Sequence, residues 1–378
     1  MDRVLIVAGE KSGETYGAAV VRRFREQRPG SSFFGVGGTK MAAEGVEILF
    51  PVEDLAVVGI FEILGELPRI RRIFSRLQDE VRNRRPAAAV LIDSPDFNLR
   101  LAKRLHALGV PVLYYISPTV WAWRPARLKK IKRTVAKMCL IFPFEEKIYA
   151  DAGIPARFVG HPLLERIRTV LARPEFFEKC RLDPEKKFIV LLPGSRKSEI
   201  RFHMPTLAEA VRRLARQVPA QFGLVLAEDL DPAAVEKFLP PGGPRVDIFR
   251  RDAYEAIAAA DLALSACGTA NLEAALLGTP LIAFYRISPL TYAVGKPFVK
   301  TPLYSIVNIL ARERLIPELI QRDFTPENLV REATTLLEHA DLRDRMKERF
   351  RDIRAGLGKD TASENVAREL AILTDRGR

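Results

Sequence analysis

Two apolar runs in this chain lead straight into glycine-rich turns of the kind that hold a phosphate, about half a chain apart. Val4-Leu5-Ile6-Val7-Ala8 enters Gly9-Glu10-Lys11-Ser12-Gly13-Glu14, and Phe188-Ile189-Val190-Leu191-Leu192 enters Pro193-Gly194-Ser195-Arg196. Glycine permits the tight turn, and backbone N–H groups at the following helix start favour an anion. In the second turn Arg196 adds a guanidinium to the backbone donors of Gly194 and Ser195, a cradle suited to a diphosphate. The first turn lacks both P-loop spacing and the Gly-x-Gly-x-x-Gly of a dinucleotide fold, and a purely structural turn stays open as its alternative.

Three further stretches place polar groups just beyond an apolar run. Asp93-Ser94-Pro95-Asp96-Phe97-Asn98 follows 88–92. A carboxylate held there against apolar neighbours acquires a raised pKa and suits a general base, whereas the plainer account is a helix cap at Asp93. Trp121 and Trp123 follow the run 112–116 and could line a sugar or acyl site, or simply pack in a core. Ser265-Ala266-Cys267-Gly268-Thr269-Ala270-Asn271-Leu272-Glu273 opens a helix whose N-terminal amides would face negative charge. Glu273 could then accept from ribose hydroxyls, with capping by Thr269 as the alternative. Asp229-Leu230-Asp231 has Asp-x-Asp spacing but precedes Pro232, so a turn cap is favoured over a metal site. His106, His161, His203 and His339 are too scattered for zinc, and Cys267 has no identifiable His partner.

The elements that must position these residues alternate between strand-like and helical. Expected strands at 4–8, 33–36, 88–92, 112–116, 138–142 and 157–159 are followed by a second set at 188–192, 222–227, 246–249, 262–265 and 281–285. That alternation is the signature of βαβ units, so the fold class is α/β: two doubly wound Rossmann-like domains, facing across a cleft. The expected division is 1–165 for a first domain with a membrane-facing apolar and basic surface, 166–345 for a nucleotide-binding domain, and 346–378 for a helical tail, with the junction near Gly160-His161-Pro162.

With 378 residues, 48% of them apolar, the chain can bury two cores. Three widely spaced cysteines fit neither a disulfide framework nor zinc, which points to a reducing cytosol. No basic leader, cleavage site or run of membrane-spanning length is visible, so export and spanning are not expected. The net charge of +13 attracts phosphates, on nucleotides, nucleic acid or anionic lipid alike. It concentrates in two stretches, Arg69 to Arg85 and Arg124 to Lys137, which could equally be solvated helix faces.

Taken together, the turns and segments above closely resemble the lipid-A-disaccharide synthase family, bacterial glycosyltransferases of the GT-B fold. The resemblance runs through nearly the whole chain and includes Gly37 to Met41, Gly59 to Gly65, Phe158 to Pro162, Tyr285-Arg286 and Asn308. Its most specific parts are Ser-Pro-x-Val-Trp-Ala-Trp and Asp-x-Pro-Asp-Phe-Asn taken jointly. Glu14 stands where aspartate is common, Val58 where methionine is common, and Cys267 where serine is common.

The resemblance implies an inverting transfer between UDP-2,3-diacylglucosamine as donor and 2,3-diacylglucosamine 1-phosphate as acceptor, without a metal or other cofactor. It also implies a β-1,6 disaccharide with release of UDP. On this sequence Asp93, Glu10 and Ser12 become the catalytic candidates, with Asp96, Asn98 and Trp121 on the acceptor side. Gly194, Ser195, Arg196, Gly268, Thr269, Asn271, Glu273, Arg286 and Asn308 become the nucleotide set. Acyl chains need an apolar surface, and Val58, Ile60, Phe61 and Ile63 beside Arg69, Arg71 and Arg72 supply one next to cations. The expectation is a peripheral lip on an anionic membrane, the cytoplasmic face of the inner membrane, with a homodimer left open; a buried helix is its alternative. Other UDP-sugar enzymes, such as an epimerase, share only the nucleotide half, and a nucleic-acid-binding protein would leave the strand-end residues unexplained.

Overall fold

The computed structural model describes residues 2–55, 62–122, 124–167, 170–228, 230–239, 242–296, 301–359 and 361–376. The chain folds into two compact units, Met1–Glu165 with Leu357–Arg378, and Arg166–Gly356.

In the first unit the elements run β1 (Arg3–Ala8), α1 (Lys11–Gln27), β2 (Ser32–Gly37), α2 (Thr39–Ala43), β3 (Val46–Pro51) and α3 (Glu62–Arg84). They continue with β4 (Ala88–Ile92), α4 (Pro95–Ala107), β5 (Val112–Tyr115), α5 (Arg127–Thr134), β6 (Lys137–Leu140), α6 (Glu145–Asp151), β7 (Ala156–Phe158) and the short α7 (Leu163–Arg166) at the boundary. The strands form one parallel sheet in the order β3-β2-β1-β4-β5-β6-β7.

A parallel sheet is covered on both faces, which is why its central strands are continuous apolar runs. Successive side chains point to opposite faces. Val4, Ile6 and Ala8 of β1 and Val90 and Ile92 of β4 join one core cluster; Leu5, Val7, Ala89 and Leu91 join the other.

The second unit contains α8 (Arg173–Cys180), β8 (Lys187–Leu192), α9 (Lys197–Gln217), β9 (Ala220–Val225), α10 (Ala233–Glu236), β10 (Val246–Phe249), α11 (Ala253–Ala259) and β11 (Leu262–Ala266). After these come α12 (Thr269–Leu276), β12 (Leu281–Tyr285), α13 (Pro289–Gly295), α14 (Ile306–Ala311), β13 (Glu318–Ile320), α15 (Pro326–Glu338) and α16 (Ala340–Gly356). Its parallel sheet has the order β10-β9-β8-β11-β12-β13. Strand for strand this repeats the first sheet without β7.

The helical tail expected over 346–378 is divided instead. Its first part is the end of α16, in the second unit, while α17 (Ala362–Arg376) returns to the first. Val366, Ala367, Leu370 and Leu373 of α17 enter the same core cluster as Val20, Phe24, Tyr115 and Cys139. Burying three such aliphatic side chains is worth roughly 2 kcal/mol apiece, so the last helix is a structural part of the first unit. Arg28 to Asp375 at 2.6 Å and Arg157 to Glu369 at 2.7 Å secure it. Two edge strands, β3 and β13, had no clear sequence signal: β3 has mixed burial and slips register beside Gly35 and Val36, and β13 has three residues.

Candidate active site at the strand ends

In a doubly wound sheet the chain winds outward first to one side and then to the other, and ligands bind where the order reverses. In the first unit that point lies between β1 and β4, and in the second between β8 and β11.

At the first switch point the two strand-end turns touch. A Cβ on Gly9 would lie 2.0 Å from Cβ of Ser94, so only glycine lets the β1 turn approach the β4 turn this closely. Glu10 is the exposed N-cap of α1, and Ser12 is exposed in its first turn. Glu14 turns inward, where its Oε1 accepts from the Lys40 N–H at 2.8 Å.

Beyond β4 the backbone is left-handed at two consecutive residues, Asp93 (φ 51°) and Ser94 (φ 43°). Such a pair persists only when its surroundings hold it. Asn98 does much of this: its Nδ2 donates to the carbonyls of Ile92 at 3.0 Å and Asp93 at 2.8 Å. Tyr114 Oη donates to the Asp93 carbonyl at 2.6 Å, and the Asp93 N–H donates to Tyr115 O at 2.9 Å. Asn98 is fully buried, with its amide N–H groups engaged on the turn.

The Asp93 carboxyl is pushed up to about 6, first by burial and then by the charge of Glu10, against a Ser94 N–H that draws it down. Asp96 sits differently. Its carboxylate is 70% exposed and ion-paired with Arg127 at 2.7 Å and Arg124 at 3.3 Å. Trp121 stands edge-on to Phe144, ring centroids 5.3 Å apart, while Trp123 lies outside the described residues. Glu145, which carried no sequence signal, is buried beneath this loop with its carboxyl raised to about 8 by burial, opposed by the Ser117 hydroxyl and the Phe142 N–H.

The second switch point repeats the local construction. Asn271 of α12 donates to Ser265 Oγ at 2.8 Å and Ala266 O at 3.0 Å, the same backward steps that Asn98 takes to the end of β4. Neither asparagine motif showed as a repeat in the sequence because only one residue is shared. Gly268 and Thr269 are exposed at the start of α12, open space lies beside Gly268, and no side-chain cap is made there. Glu273 accepts from Tyr254 Oη at 2.9 Å, and burial raises its carboxyl while that bond and Arg166 lower it.

Three members of the expected nucleotide set are engaged within the second unit. Asn308 is fully buried, with Nδ2 donating to Ile316 O and Glu318 Oε1, both at 2.9 Å, and Oδ1 accepting from Ile316 N at 2.9 Å. The Arg286 guanidinium donates to Thr206 Oγ1 at 3.1 Å and to the carbonyls of Gln321 and Phe324, and Asn271 Nδ2 is engaged as above. The N–H groups of Ser195 and Arg196, expected to face a diphosphate, are taken by Glu199 Oε2 at 2.9 and 3.2 Å. The guanidinium of Arg196 is half exposed. A residue passed over as scattered, His203, is buried with Nδ1–H donating to Pro193 O at 2.7 Å and Nε2 accepting from Arg286 N at 3.0 Å, so it ties the end of β8 to that of β12 as a neutral ring.

Val58, Ile60 and Phe61 lie outside the described residues, as does Asp229, and the side chain of Ile63 is not described. Asp231 caps a turn, accepting from Ala233 N at 3.0 Å, and no cluster of His, Cys, Asp or Glu fit for a metal occurs among the described residues. Arg69 is paired with Asp54, and Arg71 and Arg72 are exposed.

The fold places the chain in a class. A UDP-GlcNAc 2-epimerase from Neisseria meningitidis, crystallised with UDP-GlcNAc, superposes with a TM-score of 0.68 at 13% identity, over 98% of this chain and 100% of that one. The calicheamicin glycosyltransferase CalG4 does so with 0.63 at 15% identity, over 100% and 99%. This is the two-domain Rossmann-like architecture of GT-B glycosyltransferases and related epimerases, and at such identities the likeness is one of fold alone.

Sequence decides within the class. Residues 4–371 match the family model described as lipid-A-disaccharide synthetase, and the lipid-A-disaccharide synthase of Myxococcus xanthus (strain DK1622) is 41% identical over 377 residues, 100% of this chain and 98% of that protein. The chain belongs to the lipid-A-disaccharide synthase family, glycosyltransferases that form the lipid A disaccharide.

Proposed function

We propose that the first unit binds 2,3-diacylglucosamine 1-phosphate and activates its 6-hydroxyl, while the second binds UDP-2,3-diacylglucosamine. The acceptor oxygen attacks C1 of the donor sugar from the face opposite the diphosphate. The C1–O bond breaks, UDP leaves with the electron pair, and the hydroxyl proton passes to Asp93, giving the inverted β-1,6 linkage. The observation that carries this reading is the Asp93 carboxyl: it stands at a switch point, on a strained turn, with a pKa of about 6. A base with a pKa just below working pH is both ionised and still able to take a proton. Asp96, paired with two arginines on the surface, lacks that environment.

On the donor side, Arg196 and the open amides at the start of α12 would meet the charge that develops on the departing diphosphate. Glu273, held by Tyr254, is the candidate for the ribose. Glu10, whose charge acts on Asp93, and Ser12 in the same turn would orient the acceptor. The deciding assay is UDP release from purified diacyl donor and acceptor, each omitted in turn. Release that persists without acceptor, or a product lacking the β-1,6 bond, refutes the assignment.

The acyl chains imply work at a bilayer surface. No helix among the described residues is long and apolar enough to cross a membrane. Support for peripheral docking comes from α4, α5 and the loop before α5: residues 95–134 hold nine Lys and Arg against one acid, Asp96. Arg100, Lys103, Lys129, Lys132 and Arg133 are exposed there without an ion pair among the described residues. Together with Arg71 and Arg72 these cations suit the anionic cytoplasmic leaflet, at about 1 kcal/mol per charge. Flotation with anionic liposomes should show binding at low salt that is lost in R100Q/K103Q/K129Q/K132Q. Equal binding by the variant, or preference for duplex DNA over lipid, overturns the membrane reading.

A further inference from the structure

The turn that follows β8 is already occupied by an anion of the protein itself. Glu199, in the first turn of α9, places Oε2 on the N–H groups of Ser195 and Arg196, 2.9 and 3.2 Å away. Its Oε1 accepts from Tyr285 Oη at 3.2 Å and lies 4.0 Å from the Arg196 guanidinium. The side chain is only 13% exposed. Gly194 makes the room: at φ 113° it is in the region that favours glycine, and a Cβ there would come within 2.4 Å of Glu199 Oε2. One turn further along the same helix face, His203 holds the Pro193 carbonyl.

A diphosphate on those two amides would meet a carboxylate in the same place, and like charges at contact exclude one another. Gly268 and Thr269 offer the opposite situation, an exposed helix start with space beside it. Resting on the reading that the second unit takes UDP, we propose that Glu199 is a fixed internal anion that shapes the Gly194–Arg196 turn. The diphosphate is then read by the outward guanidinium of Arg196 and the start of α12, not by the amides of the β8 turn. Glu199 is thus a positioning residue for donor binding. It is a strut and not a latch that UDP displaces, because every oxygen of the carboxylate is partnered within the turn it shapes.

The two accounts predict opposite changes in UDP affinity. In calorimetric titration of the full chain with UDP, Glu199→Gln keeps an acceptor for both amides and a partner for Tyr285, so its Kd should stay within about 3-fold of the parent chain. Glu199→Ala and Gly194→Ala each free the turn and should weaken UDP by about 10-fold or more, the loss expected when hydrogen bonds to a charged group vanish. Donor KM should rise in step while acceptor KM is unchanged, a split that general loosening of the fold would not produce. Tightening of UDP by more than about 3-fold in Glu199→Ala or Glu199→Gln makes the carboxylate a latch and overturns the proposal. So does a loss in Glu199→Gln as large as in Glu199→Ala, because the hydrogen bonds would then be irrelevant. If Glu199→Ala fails to fold, Glu199→Gln and Gly194→Ala still decide. Failure of the unmodified chain to bind UDP is a separate result, which refutes the donor assignment and not the strut.

Discussion

Replacing Asp93 by asparagine should abolish turnover and stabilise the protein at once. Asparagine tolerates the left-handed φ of 51° at this position better than most residues, so the turn itself is preserved. What disappears is a carboxyl held at about 6 instead of its ordinary 3.8. Below pH 3.8 the group is neutral in both folded and unfolded chains and its contribution to stability is full. Between 3.8 and about 6 the unfolded chain gives up the proton while the folded one keeps it, so that contribution is lost as pH rises. Two pKa units at about 1.4 kcal/mol each set a ceiling near 3 kcal/mol, and solvent screening of a half-buried side chain reduces it to about 1–2 kcal/mol. For a unit of this size that is roughly a 4 °C rise in Tm for Asp93→Asn at pH 8, shrinking toward zero at pH 3.5. Over the same range kcat/KM of the parent enzyme should be half its plateau near pH 6 and about one-tenth near pH 5, because only the ionised base accepts the proton. Glu10→Gln removes the like charge that helps raise this group, so its acidic limb should move to lower pH. Thermal melts paired with UDP-release profiles supply both readings. An Asp93→Asn enzyme that is less stable at pH 8, or that retains more than about a tenth of the activity, refutes the reasoning.

Other perturbations test the supports of the site. Asn98→Ala should cost about 1–3 kcal/mol in urea denaturation and lower kcat without changing UDP affinity, since two strand-end carbonyls lose a donor. Asn98→Asp should be worse, because it turns a buried carboxylate toward those carbonyls, and the reverse order would contradict the role given to the amide. His161 is buried with Nδ1 accepting from the Leu163 N–H, and burial holds it down at about 3 against an ordinary 6.5. Its contribution to stability is present above pH 6.5 and lost as pH falls toward 3. His161→Asn keeps an acceptor and removes the titration, so between pH 7 and pH 5 it should lose about 2 kcal/mol less than the parent chain in chemical denaturation.

Much of the fold was legible because parallel strands covered on both faces must be apolar throughout, and 88–92, 188–192 and 262–264 are unbroken apolar runs. The residues beyond them were legible for the same reason, since a polar cluster after a buried strand has to lie at the sheet's carboxyl edge. The edge strands β3 and β13 were not, because a half-buried or three-residue strand carries too few apolar positions to stand out.

Local sequence determined which residue types stand at the strand ends. Tertiary structure decided what each is free to do. Asn98, Asn271, Arg286 and Asn308 read as ligand contacts, but their N–H donors are engaged on protein oxygens, at the preceding strand end for the first two and on residues from other elements for the last two. The reverse holds for Glu145, Glu199 and His203, ordinary in sequence and central to the turns they hold. The membership of α17 in the first unit was equally invisible, because it rests on apolar contacts with helices and strands hundreds of residues earlier. Hydrogen-bond partners and burial are properties of space, and a linear chain records only the donors and acceptors that compete for them.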